Sequence, residues 1–247
     1  MRLENTRCLA RGSAPGPLRH IALWLWLAAA AAAQASEPVR VDWFPDASRV
    51  ARFTWTDERC EACTPLVPPP EWRAMARLAG LERVRFLRAA QSAYGPAWSF
   101  APGTVVVSDA ALKLPHCQLD FIVGHELVHI AQRHFDEDAH DVSVLSGKPP
   151  TWTHAGEDAM ALLDGDFPLA LRMSPLWQQQ EREADWAGAL LAAQACGCRL
   201  EDSALAYLGA DTESGGGVIS THDESAERVR FLRNFIESAR RLTRRMR

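Results

Sequence analysis

The sequence lacks both a long apolar run and a strong excess of charge of one sign. Its longest apolar stretch, residues 21–33, has 13 residues, whereas a membrane-spanning helix needs about 20. The 27 basic and 31 acidic residues give a net charge of −4, which provides no electrostatic reason to expect nucleic acid as a partner. No internal repeat is present, and a hydrophobic fraction of 47% argues against a mainly disordered or fibrous protein. These absences leave a globular domain without a predicted transmembrane span.

The amino terminus predicts export. Several arginines precede the apolar run, and Ala33-Gln34-Ala35 fits a small-x-small cleavage site. A basic start, a short apolar stretch and a site of small residues are typical of a secretory signal. We expect a signal peptide over residues 1–35, cleaved near Ala35, and a single domain over residues 36–247 that is periplasmic or secreted. An uncleaved signal anchor is the alternative.

Cysteines are few, and export decides how they are interpreted. Five remain after the signal peptide is removed, at positions 60, 63, 117, 196 and 198. In an oxidising compartment the close pairs 60/63 and 196/198 favour disulfide bonds, formed within each pair or across the pairs. A second zinc ion on these four sulfurs is the alternative. Cys117 is then expected to be a buried free thiol.

The apolar patterns predict a mainly α fold with a small β-sheet, an α+β domain. Residues 104–108 (TVVVS) are short and β-branched, which is typical of a strand. Proline-rich and aromatic residues 36–70 predict an extended lead-in that packs on the domain. A polar, proline-containing loop is expected at 136–153. The expected helices span residues 71–94 (with Gly80 as a candidate interruption), 117–135, 176–195 and 224–247.

The segment His125-Glu126-Leu127-Val128-His129 carries the clearest chemical signal. Residues four apart on a helix lie on one face, so both imidazoles can bind one Zn²⁺ ion. Glu126 would lie near the open coordination position, where it can accept a proton from water and return it to a leaving amine. The alternative is a helix with two structural histidines, but the apolar neighbours indicate burial, where a charge needs a partner or a metal.

A third ligand is needed, and Glu181 is the better candidate. It can complete a site of two histidines and one glutamate around one zinc ion per chain. Asp185 lies four residues further on the same helix face and can accept a hydrogen bond from a ligand imidazole. Glu183 points elsewhere. A solvated charged turn is the alternative interpretation, and Glu157 is a competing ligand.

Together these motifs resemble a known family. The His-Glu-x-x-His segment, the Glu-x-x-Ala-Asp segment at 181–185, and Thr221-His222 followed by Arg228 resemble the zinc metallopeptidase family of the CAAX prenyl proteases and HtpX-like membrane proteases. The nearer resemblance, over residues 97–232, is to soluble periplasmic BepA-like proteases.

The resemblance implies a gluzincin-type metallopeptidase domain with zinc at His125, His129 and Glu181, a catalytic Glu126 and a supporting Asp185. It implies a zinc-dependent metalloendopeptidase that hydrolyses peptide bonds with a zinc-activated water and acts on protein or peptide substrates in envelope protein quality control. The rival function is a non-proteolytic, zinc-containing chaperone or binding module of the cell envelope.

Several further positions carry open alternatives. By the resemblance His222 is catalytic and hydrogen-bonds the tetrahedral oxyanion, or it covers the zinc in a resting state; a surface-loop histidine is the third reading. Arg228 either neutralises a buried acid near the site or is a helix-surface charge. His134 lies nine residues after His125, off the metal face of a continuous helix, so we expect a structural or solvated residue.

Two surfaces are candidates for contact with other molecules. The strand at residues 105–107 either pairs with an extended substrate backbone or is an ordinary sheet strand. The arginine-rich carboxyl terminus either associates peripherally with the anionic surface of the envelope membrane or is a solvated helix end.

Overall fold

A four-stranded mixed sheet packs beside a helical layer. The computed structural model describes residues 52–55, 60, 62–91, 95–148, 161–162, 164–210 and 225–245, which all belong to one compact unit, Asp46–Arg247. In this part of the chain helices predominate over strands, so the predicted α+β class is confirmed. No helix among these residues combines the length and apolarity that a membrane span requires.

The sheet has the strand order β1-β2-β4-β3. The strands are β1 (Cys63–Pro65), β2 (Arg85–Ala89), β3 (Ala97–Phe100) and β4 (Thr104–Ser108). β2 and β4 run parallel, with Arg85 opposite Thr104, while β1 and β3 pair antiparallel on the two outer sides. The predicted strand at 104–108 is confirmed, and all five of its residues are buried. Because β4 is paired on both sides, it has no edge for a substrate, and β3 is the edge strand instead.

The helices are α1 (Pro70–Leu78), α2 (His116–Gln132), α3 (His134–Ser146), α4 (Phe167–Cys196), α5 (Ala204–Ala210) and α6 (Ser225–Arg245). The prediction of helices at 117–135 and 224–247 is confirmed within a few residues at each end. α2 begins after Pro115, whose extended backbone precedes the helix, and Asp120 lies within the helix.

The helix predicted for residues 71–94 is wrong beyond its first eight residues. α1 ends at Leu78, and Gly80 adopts a left-handed φ of 75°. Residues 85–89 then form β2, because their backbone pairs in parallel with the buried β4. A partner strand supplied by tertiary structure therefore overrides the local helical pattern.

The loop predicted for residues 136–153 is wrong over its first eleven residues, which belong to α3. Asp136 and Glu137 lie in the first turn of α3, where acidic side chains interact favourably with the helix dipole. Val142 is buried, and Gly147 ends the helix with a φ of 68°, a left-handed conformation that glycine adopts readily. Asp136 also anchors the lead-in, since its Oδ1 accepts hydrogen bonds from the Phe53 backbone and from Trp55 Nε1.

α4 begins nine residues earlier than predicted. Asp166 caps its start by accepting a hydrogen bond from the Leu169 backbone at 3.0 Å, and the helix continues through Pro175. A proline removes one helical hydrogen bond, but the 30-residue α4 retains its packing along α2. The length of α4 and its packing against α2 therefore outweigh the hydrogen bond lost at Pro175.

α2 and α4 approach each other closely at a pair of glycines. A Cβ atom on Gly124 would lie 2.7 Å from the carbonyl oxygen of Gly188, and a Cβ on Gly188 would lie 2.6 Å from the backbone nitrogen of His125. Only glycine fits such a contact without a shift of the backbone. The contact holds the histidine segment of α2 directly against α4.

The cysteine pairing differs in part from the prediction. Cys60 and Cys63 form a disulfide, but the second disulfide joins Cys117 to Cys198, and Cys196 is a buried thiol. The expectation of a free Cys117 is therefore wrong. Cys117 lies in the first turn of α2 and Cys198 lies just after α4, and the packing of these two helices brings their sulfurs together.

Candidate metal centre

Three side chains from two helices converge at the centre of the domain. Nε2 of His125 lies 3.1 Å from Nε2 of His129. Glu181 on α4 faces both rings, with Oε2 at 3.2 Å from His125 Nε2 and Oε1 at 3.3 Å from His129 Nε2. The structure thus brings the three predicted ligands to one point, and their donor atoms form a group that could hold a metal ion.

The spacing of these donor atoms fits zinc. Ligand bonds of 2.0–2.1 Å in a tetrahedral site place neighbouring donor atoms about 3.3 Å apart, close to the three distances in this group. Two imidazoles and a carboxylate are donors that zinc accepts. The three side chains keep exposed fractions of 10 to 13%, so they lie close to the protein surface without being fully enclosed.

Asp185 and Arg228 support the first histidine. Asp185 is fully buried, and its Oδ1 lies 3.2 Å from Nδ1 of His125. Arg228 on α6 donates to both oxygens of Asp185, at 2.7 and 2.6 Å, and is itself 7% exposed. Of the two interpretations of Arg228, the structure therefore shows the partner of a buried acid.

The electrostatics of the group favour positive charge. Burial alone would lower the pKa of His125, but Glu181 and Asp185 outweigh burial and raise that pKa to about 10. Burial alone would raise the pKa of Asp185, but hydrogen bonds from Arg228 and His125 hold it below its usual range. The two carboxylates therefore make this point of the protein favourable for a positive charge.

Glu126 lies next to this group and has its own partner. Its side chain is partly buried, and Ser99 Oγ on the edge strand β3 donates a hydrogen bond to Glu126 Oε2 at 2.7 Å. The carboxylate is thereby tied to the sheet and is not one of the three converging donors.

His134 is buried and contacts His129, so the expectation that it lies off the metal face or in solvent is wrong. Its Nδ1 lies 2.9 Å from Nδ1 of His129, and burial lowers its pKa to about 4, so the ring is neutral at pH 7. Arg133 adopts a left-handed φ of 63°, which ends α2 and turns the first residue of α3 back towards His129. A continuous helix would point His134 away from His129. The periodicity of the sequence gives no sign of the left-handed turn that brings them together.

Two predicted participants, His222 and the competing ligand Glu157, lie outside the described residues, and their roles stay predictions. A second group of potential ligands consists of His116, Cys117 and Cys198. Its two sulfurs are joined in a disulfide, so neither is a thiolate that can bind a metal.

A helix with two histidines four residues apart, a carboxylate from a second helix and an adjacent glutamate define the metallopeptidase class of metal centre. The model of Peptidase family M48 matches residues 74–236, more than half of the chain, and the chain belongs to that family. This membership identifies a metallopeptidase from a zinc-dependent family with protein or peptide substrates. No curated protein matches the chain.

Proposed function

We propose that this chain is a zinc-dependent metalloendopeptidase in which His125, His129 and Glu181 hold one Zn²⁺ ion and Glu126 transfers the proton. The observation that carries the proposal is the convergence of three side chains: the two histidine Nε2 atoms lie 3.1 Å apart, and each lies within 3.3 Å of one carboxylate oxygen of Glu181. Their spacing matches a tetrahedral zinc site, and membership in Peptidase family M48 supports the same chemistry.

The residues around the ligands have distinct tasks in this proposal. A bound zinc ion lowers the pKa of a coordinated water and polarises a carbonyl group. Asp185 accepts the Nδ1 proton of His125, which directs the Nε2 lone pair of that ring towards the ion. Arg228 balances the charge of Asp185, so the carboxylate stays ionised inside the protein.

Glu126 is the proton carrier in this mechanism. The Ser99 hydroxyl donates to Oε2 of Glu126 at 2.7 Å, and the carboxylate keeps further acceptor sites with which it would accept a proton from the attacking water. The same carboxylate later returns the proton to the amine that leaves when the peptide bond breaks. Ser99 fixes the carboxylate through both transfers.

The edge strand β3 is our proposed docking site for the substrate backbone. It is the outer strand of the sheet order β1-β2-β4-β3, and its Ser99 touches Glu126. Extended peptides commonly add as a strand to a sheet edge. A substrate paired along β3 would run past the proton carrier, which favours cleavage within a chain.

Export to the periplasm or the medium is part of the proposal. The two disulfides, Cys60–Cys63 and Cys117–Cys198, support it because disulfides persist in oxidising compartments, and the signal-like residues 1–35 agree. We propose a place among the BepA-like group of the family, with a role in envelope protein quality control and peripheral contact with the envelope.

The second candidate is a binding or chaperone module that holds zinc for structure alone. Both candidates bind the metal through the same three side chains. They differ at Glu126, which a structural site does not need, and the hydrogen bond that restrains this carboxylate against Ser99 of β3 supports the enzyme.

Metal content and casein cleavage test the proposal on the wild type, Glu126→Gln and Glu181→Ala, made in an oxidising compartment. We expect one zinc per wild-type chain with cleavage. Glu126→Gln should retain zinc while cleavage falls by about 10²- to 10⁴-fold, and Glu181→Ala should lose zinc. The exposed Glu82→Gln serves as the matched control and should behave as the wild type does. Zinc retained without cleavage in all forms would favour the binding module.

A further inference from the structure

We propose that His134 is a positioning residue for the zinc ligand His129, and that it holds the His129 ring with Nε2 facing the ion. The inference rests on the proposed zinc site. Its basis is a short contact between two imidazoles, since Nδ1 of His134 lies 2.9 Å from Nδ1 of His129. The His134 side chain is 2% exposed, so the contact is enclosed by protein.

The direction of this hydrogen bond follows from the ligand role of His129. A neutral imidazole carries one proton, and a ring that binds a metal through Nε2 must carry that proton on Nδ1. His129 therefore donates from Nδ1, and His134 accepts at its own Nδ1. The proton of His134 is then on Nε2, which lies 3.6 Å from Glu183 Oε2.

Glu183 is the next residue in this series of contacts, after His129 and His134. Its Oε1 accepts a hydrogen bond from Gln179 at 2.8 Å, which restrains the carboxylate next to His134. The distance from His134 Nε2 to Glu183 is too long for a hydrogen bond, so the negative charge acts through space on the Nε2–H group. Glu183 thus favours the tautomer of His134 that can accept from His129.

The two histidine ligands of α2 are consequently oriented by different groups. His125 faces the carboxylate of Asp185, which carries an arginine partner. His129 instead faces a neutral ring that is placed by the left-handed turn at Arg133. Partners of this kind keep a ligand in its binding orientation, and their loss typically lowers metal affinity 10- to 100-fold.

The test compares two amide substitutions that differ only in where the acceptor lies. The amide oxygen of His134→Asn can occupy the place of Nδ1 and accept from His129, whereas His134→Gln moves its amide towards the place of Nε2. Zinc dissociation constants are measured on the full mature protein by competition with a chromophoric chelator. The unfolding temperature of each metal-free variant is recorded in parallel.

We expect His134→Gln to bind zinc about 10- to 100-fold more weakly than the wild type, and His134→Asn to stay within about threefold. Val142→Ala is the control, because it truncates another buried side chain of α3 away from the ligands. It should lower the unfolding temperature without changing zinc affinity.

Two results would overturn the inference while leaving the zinc site intact. One is wild-type zinc affinity in His134→Gln. The other is an equal loss in both amide variants together with a similar loss in Val142→Ala, which would assign the effect to packing. Absence of zinc binding in the wild type would instead refute the proposed function itself. If His134→Gln does not fold, Glu183→Gln replaces it, with weaker zinc binding expected and unchanged affinity counting against the inference.

Discussion

Two buried carboxylates on neighbouring helices are stabilised in opposite ways. Asp185 has a cationic partner in Arg228, and its pKa lies below its usual range although burial opposes this. Asp138 on α3 receives a hydrogen bond from Gln180 at 3.0 Å. Burial raises the pKa of Asp138 to about 7, and the nearby Glu137 adds to the rise. An amide therefore satisfies the carboxyl group without compensating its charge.

Asp138→Asn should change how stability depends on pH. A pKa that is raised in the folded state contributes stability that is complete below the unfolded value near 4 and is lost as the pH rises through about 7. The asparagine variant has no such loss. The difference between its free energy of unfolding and that of the wild type should therefore shift in favour of the variant as the pH rises from 4 to 8. Urea unfolding of the metal-free proteins measures the difference, and the exposed Asp164→Asn is the control. A constant difference across this range would contradict the prediction.

At the scale of elements, the site depends on how closely α2 and α4 pack. Glu181, Asp185 and Gly188 are spaced by four and three residues, so they share one face of α4. Gly188 meets the backbone of His125, and this contact sets the distance at which Glu181 and Asp185 meet the histidines. Helix packing and ligand geometry are thus coupled through one glycine pair.

Gly188→Ala should impair both stability and metal binding. The added Cβ would lie 2.6 Å from the His125 backbone nitrogen, so the helices must move apart, and overpacking of this kind costs about 1–3 kcal/mol. We expect a lower unfolding temperature and weaker zinc binding, measured by thermal denaturation and chelator competition. Gly209→Ala has no atom within 4 Å of its Cβ and should leave zinc affinity unchanged. Equal zinc affinity in both variants would refute the coupling.

At the scale of the whole molecule, the Cys117–Cys198 disulfide joins segments 81 residues apart. It connects the first turn of α2 to the chain that follows α4, and these two helices carry all three candidate ligands. The bond therefore links the start of α2 covalently to the end of α4, the two helices that carry the candidate metal ligands. A covalent link of this kind is suited to an oxidising compartment.

The proposed export and signal cleavage predict a defined chemical form of the mature protein. We expect its amino terminus at Ser36, two disulfides and one thiol at Cys196. Without reductant, alkylation of the denatured protein should add one label, and after reduction it should add five, as measured by intact mass together with amino-terminal sequencing. A product that takes up five labels without reductant would contradict export with oxidation, and one that retains Met1 would contradict cleavage near Ala35.

Features that depend on spacing within one segment were predictable from the sequence. The helical pair His125 and His129 follows from a four-residue interval, and β4 follows from a run of β-branched residues between turn signals. Glu181 and Asp185 were identified as candidates because they repeat the same interval on another helix. The four-residue spacing of Glu181 and Asp185 did not predict how far these two side chains lie from the histidines.

Local sequence accounts for the chemistry within single elements: the histidine pair of α2, the acidic face of α4 and the mainly helical class. Tertiary structure alone decided the meeting of Glu181 with the histidines, the contact of His134 with His129, the pairing of Cys117 with Cys198 and the strand β2. Side-chain periodicity describes positions relative to one helix axis or strand. Contacts between elements depend on packing and on turns such as the left-handed Arg133, for which the sequence carries no periodic signal.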